Sequence, residues 1–158
     1  MGNDGIQVTG GGLLVHPSLG PFTFSVSAIK QADGTVGGRW EYHYFFAGDL
    51  KFKGDVTCFE VDAVNRRAWI GAVITFSNDP EQVTNPIFGP GHDAWFRKLD
   101  NGNGQAEVDR ITVVGFEGSA GIETSEEHCQ IQIWPGPPLD AVNARTWPIE
   151  SGGVTIHD

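Results

Sequence analysis

The stretch from Phe52 to Phe76, FKGDVTCFEVDAVNRRAWIGAVITF, does most to limit what this chain can fold into. It reads as two β-strands joined by an Asp-Ala-Val-Asn-Arg turn. On the second strand Ala68, Ile70, Ala72, Ile74 and Phe76 keep one parity, as a strand with one packed face requires. On the first the parity switches: Val56 and Cys58 fall on one side, Phe59 and Val61 on the other. A β-bulge near Cys58, or burial of both faces, accounts for the switch.

The preceding segment alternates without a break. Phe22, Phe24, Val26 and Ala28 share one face of Phe22–Ile29, with Thr23, Ser25 and Ser27 on the other. After Ala32-Asp33-Gly34, the residues Val36, Trp40, Tyr42, Tyr44 and Phe46 share a face, while Arg39, Glu41 and His43 point away. Alternation on both sides of an Asp-Gly turn is a hairpin signal. The sheet it implies is antiparallel, packed on one face and wet on the other. Ala47-Gly48-Asp49 turns the chain into a strand from Leu50 to Val61.

Further strands are predicted at Asp93–Leu99, Asp109–Phe116, Ile131–Trp134 and Val154–His157. Glu123–Cys129 is expected to form one or two helical turns capped by Thr124 or Ser125. Ser77–His92 holds three prolines and no periodicity, so it reads as a long loop. Gly10-Gly11-Gly12 reads as a flexible lead-in to the first strand. The expectation is a single all-β domain spanning residues 1–158 with at most one short helix. Its strands form an antiparallel meander closed into a small β-barrel of eight or nine strands, with a two-layer sandwich as the alternative.

Composition bounds the partners. The formal net charge of −10 disfavours nucleic acid and anionic membrane surfaces. No apolar run approaches a spanning helix, and the segments are short for lipid-facing barrel strands. The first residues carry no visible signal peptide. Cys58 and Cys129 have neither C-x-x-C spacing nor a histidine pair at zinc-finger distance, so no metal or other cofactor is expected. One disulfide and two buried thiols both remain open.

Each chemical motif has a plain structural counterpart. Trp40, Tyr42 and Tyr44 on one face form either an aromatic core or the lining of an apolar cavity. Their polar tips need partners if buried, which favours a cavity holding water or ligand. His92, where the Pro-Gly loop enters a strand carrying Trp95, is the one candidate acid or base, and a weak one. The neighbours His128 and Cys129 diverge in any regular structure, so they do not form a catalytic pair. Asp100, Asn101, Asn103, Gln105, Glu107 and Asp109 concentrate oxygen ligands, but Gly102 and Gly104 break the EF-hand order and favour a turn. The signatures of serine hydrolases, zincins and phosphate-binding loops are absent.

Three pieces together resemble a family of small, largely uncharacterised bacterial β-rich proteins, many of them exported. They are Lys53-Gly54-Asp55-Val56-Thr57-Cys58 running on to Ala68-Trp69-Ile70-Gly71, the Asp100-Asn101-Gly102 turn with Asp109 downstream, and Gly152-Gly153-Val154-Thr155-Ile156. The resemblance implies a β fold and an extracytoplasmic location, and through that location it favours a Cys58–Cys129 bridge. It supplies no activity. The Ser77–His92 loop and Trp134–Trp147 depart from the family pattern.

The functional expectation is a non-enzymatic barrel that binds a small apolar or aromatic molecule in its interior. Phe24, Trp40, Tyr42, Tyr44 and Trp69 are assigned to the wall, with His92 and Trp95 near the mouth. One alternative is a barrel enzyme doing acid–base isomerisation, cyclisation or hydration through His92. Another is a carbohydrate-binding sandwich with Trp134 and Trp147 as its platform. Oligomeric state is not legible.

Overall fold

The computed structural model describes residues 5–45, 49–64, 66–100, 109–112, 114–118, 121–132 and 147–157. Ten strands build one antiparallel sheet: β1 (Ile6–His16), β2 (Gly20–Lys30), β3 (Val36–Tyr44), β4 (Leu50–Asp62), β5 (Arg67–Ser77), β6 (Asp93–Leu99), β7 (Arg110–Ile111), β8 (Gly115–Phe116), β9 (Trp147–Pro148) and β10 (Ser151–His157). The order runs β10-β1-β2-β3-β4-β5-β6-β7-β9, with β8 also on β6. The sheet curls strongly into a half-barrel, so the fold is all-β with one short helix.

The alternation read from sequence sets the register. Phe22 faces Tyr44, Phe24 faces Tyr42 and Val26 faces Trp40 across the β2–β3 ladder. Directly opposed residues share a face, so these six form a continuous inner wall. Ile70, Ile74, Phe96, Ile111, Val154 and Ile156 join the same buried core from the other strands. Each large apolar side chain contributes about 1.5–3 kcal/mol by leaving water. The parity switch in β4 is a register shift between Val56 and Cys58, and a second shift lies between Lys53 and Gly54.

The three glycines at 10–12 lie inside β1, not ahead of it. They sit between β2 and β10, with Gly12 paired to both Phe24 and Gly152. The neighbouring backbones come so close that a Cβ on Gly12 would stand 2.0 Å from the Ser151 carbonyl oxygen. Glycine is needed there for close approach, which the flexible reading overlooked.

Two sides of the half-barrel are joined by side chains. On the edge of β10 away from β1, Val154 N–H donates to Asp109 Oδ2 at 2.8 Å and Ile156 N–H to Asp100 Oδ2 at 2.9 Å. Arg66 Nη2 donates to that same Asp100 oxygen and to the Ile156 carbonyl. Backbone bonds from Ile149 to Asp109 and from Glu150 to Leu13 carry the chain across. The aspartates flanking the suspected oxygen-ligand loop thus act as strand partners, while residues 101–108 lie outside the described ones.

Helix α1 (Ser125–Ile131) starts at Thr124, whose hydroxyl accepts from Glu127 N–H. It lies on the outer face of β4, β5 and β6. Cys129 is bonded there to Cys58, with Cα atoms 6.5 Å apart. The Ser77–His92 loop holds two 3-10 turns, Pro80–Val83 and Pro86–Phe88. Ile131, predicted as strand, ends the helix instead, because the Thr124 cap carries the helical register through it. The remainder of that predicted strand, including Trp134, lies outside the described residues, as do residues 46–48 of the predicted turn after β3.

Candidate functional site

The unusual residue of the interior is a lysine. In β6, Ala94, Phe96 and Lys98 share one parity, and Lys98 pairs with Ala68 on β5 and Ile111 on β7, both core residues. Its side chain therefore enters the half-barrel, and it is 0% exposed. Lysines at apolar surfaces normally keep the ammonium in water at the end of the stem, and full burial without a partner is rare.

Three rings surround the amine. Lys98 Nζ stands 4.2 Å from the Phe24 ring centroid, 4.5 Å from Phe96 and 4.9 Å from Tyr42. It donates to the Tyr42 hydroxyl at 2.9 Å, and that hydroxyl donates to the Thr112 carbonyl at 3.0 Å. The direction of the chain is fixed, because a carbonyl only accepts. Tyr42 must give its proton to Thr112 and take one from Lys98, leaving the lone pair of a neutral amine uncommitted.

Among the described residues, no carboxylate is within ion-pair distance of Lys98. Burial pushes its pKa well below the usual lysine value. The rings recover part of the desolvation cost of the charged form, at about 0.5–2 kcal/mol each, against several for the ion. Burial likewise raises the Tyr42 hydroxyl well above 10, with the Tyr44 charge adding to it. Tyr44 is also raised by burial, offset in part by the N–H that Val114 donates to its oxygen at 3.1 Å. Burial therefore favours the uncharged form of both groups, an amine beside a phenol.

Of the residues assigned to a ligand-lined wall, Phe24, Trp40, Tyr42 and Tyr44 all face inward. Their polar tips are satisfied by protein, not by an enclosed space: Trp40 Nε1 donates to the Val73 carbonyl at 3.2 Å. Phe22 and Tyr42 lie 5.6 Å apart between centroids, and Tyr42 and Phe96 5.2 Å.

Trp69 and Trp95 do not belong to that wall. Both are buried on the outer face, beneath α1. Trp95 pairs with Gly71, whose Cβ position points at Cys58 Sγ and Ser125, and its ring stacks on His128 at 5.9 Å. Trp69 lies two residues from Gly71 and so shares that face. The sequence reading assigned Trp69 to the wall and Trp95 to the mouth, whereas the disulfide-held helix buries both in a second layer on the outer face.

His92 stands at the opposite end of β6 from Lys98, six residues or about 20 Å away along a strand. Its Nδ1 pairs with Glu117 Oε1 at 3.0 Å, and Glu117 Oε2 accepts from Asp93 N–H. It is held by this carboxylate near the surface, away from the interior. His43 and Glu41 point outward as expected. Trp147 is half-buried against the His16 ring at 4.3 Å, not displayed as a platform. Among the described residues no three metal-ligating side chains converge.

The outer face carries a groove of about 690 Å³ over β2 to β5, lined by Ser25, Ser27, Arg39, Glu41, Lys53 and Asp55 among others. Two neighbouring rows across the sheet set its charge: Ser25–Glu41–Lys53 and Ser27–Arg39–Asp55.

Sequence reasoning missed Lys98. The available signal was parity, since a lysine two residues after Phe96 and four after Ala94 falls on the apolar face of its strand. Comparison with protein-family models, curated proteins and solved structures returns no match.

Proposed function

We propose that this chain is a binding protein that holds a small, largely apolar molecule within the half-barrel, with Lys98 and Tyr42 as its polar anchor. The observation that carries this reading is the fully buried Lys98 with no opposing charge among the described residues. Small-molecule sites are mostly apolar and hold a few placed polar groups, a pattern that Phe24, Phe96, Tyr42 and Lys98 fit. The inner rings touch one another, so the ligand is about the size of a single aromatic ring.

The test is titration with benzyl alcohol and with indole, followed through aromatic-side-chain NMR. Shifts concentrated at Phe24, Tyr42 and Phe96 support the reading. Their absence at millimolar ligand, or shifts confined to the outer face, overturns it.

The outer groove favours a second reading, in which a sugar or another polyhydroxylated molecule binds between the two charged rows. Hydroxyl and charged groups of both signs suit such a ligand. Amide shifts at Ser25, Arg39 and Asp55 with added disaccharides test it, and unshifted amides at high concentration would remove it.

A further inference from the structure

The arrangement of Lys98 allows more than polar anchoring. Resting on the interior-binding reading above, we propose that the Lys98 amine is a nucleophile that captures a small aromatic aldehyde as a Schiff base inside the half-barrel.

The hydrogen-bond order carries the argument. Thr112 takes the Tyr42 proton, so Tyr42 accepts from Lys98 and the amine lone pair stays free to attack carbon. Among the described residues, the amine also lacks the carboxylate partner that Lys30 and Lys51 have. The chain has four lysines in all. Lys30 pairs with Glu60 and Lys51 with Glu41, while Lys53 lies over the exposed Phe76 ring. Lys98 alone is enclosed by rings. A lysine desolvated in apolar surroundings is activated because its neutral form prevails near neutral pH.

The step balances without a further reagent. Nζ forms a bond to the carbonyl carbon as the carbon–oxygen π pair moves to oxygen. The carbinolamine then loses that oxygen with two protons, one from each stage, as water. The product is an imine, and nothing is oxidised or reduced. The Phe24 and Phe96 rings hold the aldehyde's ring and exclude the water that would hydrolyse the imine. Because Lys98 is fully enclosed, capture runs at the rate of local opening.

The experiment treats the protein with benzaldehyde and sodium cyanoborohydride near pH 6.5 and maps benzylation across the four lysines by peptide mass. Cyanoborohydride supplies the hydride that fixes any imine as a secondary amine. Benzyl alcohol, which has the ring without the carbonyl, is titrated in parallel by NMR. The expected result is benzylation of Lys98 in preference to Lys51 and Lys53 by roughly tenfold or more, since ordinary surface amines are almost wholly protonated at that pH. Excess benzyl alcohol should slow it, and Lys98→Met should abolish that labelled peptide alone. If benzyl alcohol shifts Phe24 and Tyr42 while benzylation falls only on Lys30, Lys51 and Lys53, nucleophilic capture is wrong and interior binding stands. If benzyl alcohol leaves those rings unmoved and Lys98 is unmodified, both readings fail. The wild-type peptide map decides the matter even where the variant does not fold.

Discussion

Lys98 Nζ donates a 2.9 Å hydrogen bond to the Tyr42 hydroxyl inside a ring of aromatic side chains. The bond joins β6 to β3 across the interior. It satisfies one amine hydrogen and leaves the rest of the group facing rings, so the pair sits at a cost to stability.

Replacing the amine by an apolar group of similar length should therefore stabilise the fold. Lys98→Met is expected to raise the unfolding free energy by about 1–3 kcal/mol near pH 7. The pH dependence gives a second readout. Between the lowered folded-state pKa and 10.5 the unfolded chain binds a proton at this lysine that the native state does not, so wild-type stability rises with pH. Above about 10 the buried Tyr42 reverses the trend, because the unfolded chain releases a proton that the native state keeps. Urea titrations across pH 7–10 should show the rise in wild type and a flatter line in Lys98→Met.

His128 governs the acid side. It is buried against Trp95, and its pKa is lowered to about 4 by burial, with Arg97 adding to the effect and the Phe96 carbonyl opposing it. From pH 6.5 down to 4 the unfolded chain gains a proton at this position that the native state refuses, so stability falls as pH falls. The loss over that window is about 3 kcal/mol. Thermal melts of His128→Gln should lack this part of the acid sensitivity; an identical acid profile would contradict the assignment.

The Cys58–Cys129 bridge spans 71 positions. Chain entropy assigns such a loop about 4 kcal/mol. Cys58→Ser combined with Cys129→Ser should lose close to that amount in denaturant titrations. The inner wall does not touch the bridge, so aromatic NMR signals from Phe24 and Tyr42 should hold their positions in the folded double variant.

Gly71 tests the docking of α1. A Cβ at this position would lie 2.5 Å from Cys58 Sγ and 2.8 Å from Ser125 Cβ and O. Gly71→Ala is expected to cost about 1–3 kcal/mol by overpacking. Its disulfide should also be reduced faster than in wild type, measured by thiol release under dithiothreitol.

Much of the fold could be read because its signals are local. Alternation in β2 and β3 follows from a period of two, and the β4 bulge announced itself as a parity switch at Cys58. The β1 glycines misled because their reason is a backbone approach from β10, far away in sequence. Trp69 and Trp95 misled because α1 buries a second face of β5 and β6; the parity of Ala68 and Ile70 already set Trp69 apart from the inner wall. The candidate site was half legible: Phe24 and Tyr42 stand where the hairpin puts them. Lys98 escaped notice because charge suggests solvent, whereas its strand parity pointed to the interior.

The carboxylate seam along β10 imposes an order of events on folding. β1 is made well before β10, yet one of its two ladders needs β10, and the far edge of β10 is held by Asp100 and Asp109. Pairing of such distant segments is slow. During synthesis β1 therefore emerges with an unsatisfied edge on its glycine-rich stretch, and it stays so until β10 has left the ribosome. That interval is when this sheet is most open to pairing with the wrong strand, and the two aspartates end it.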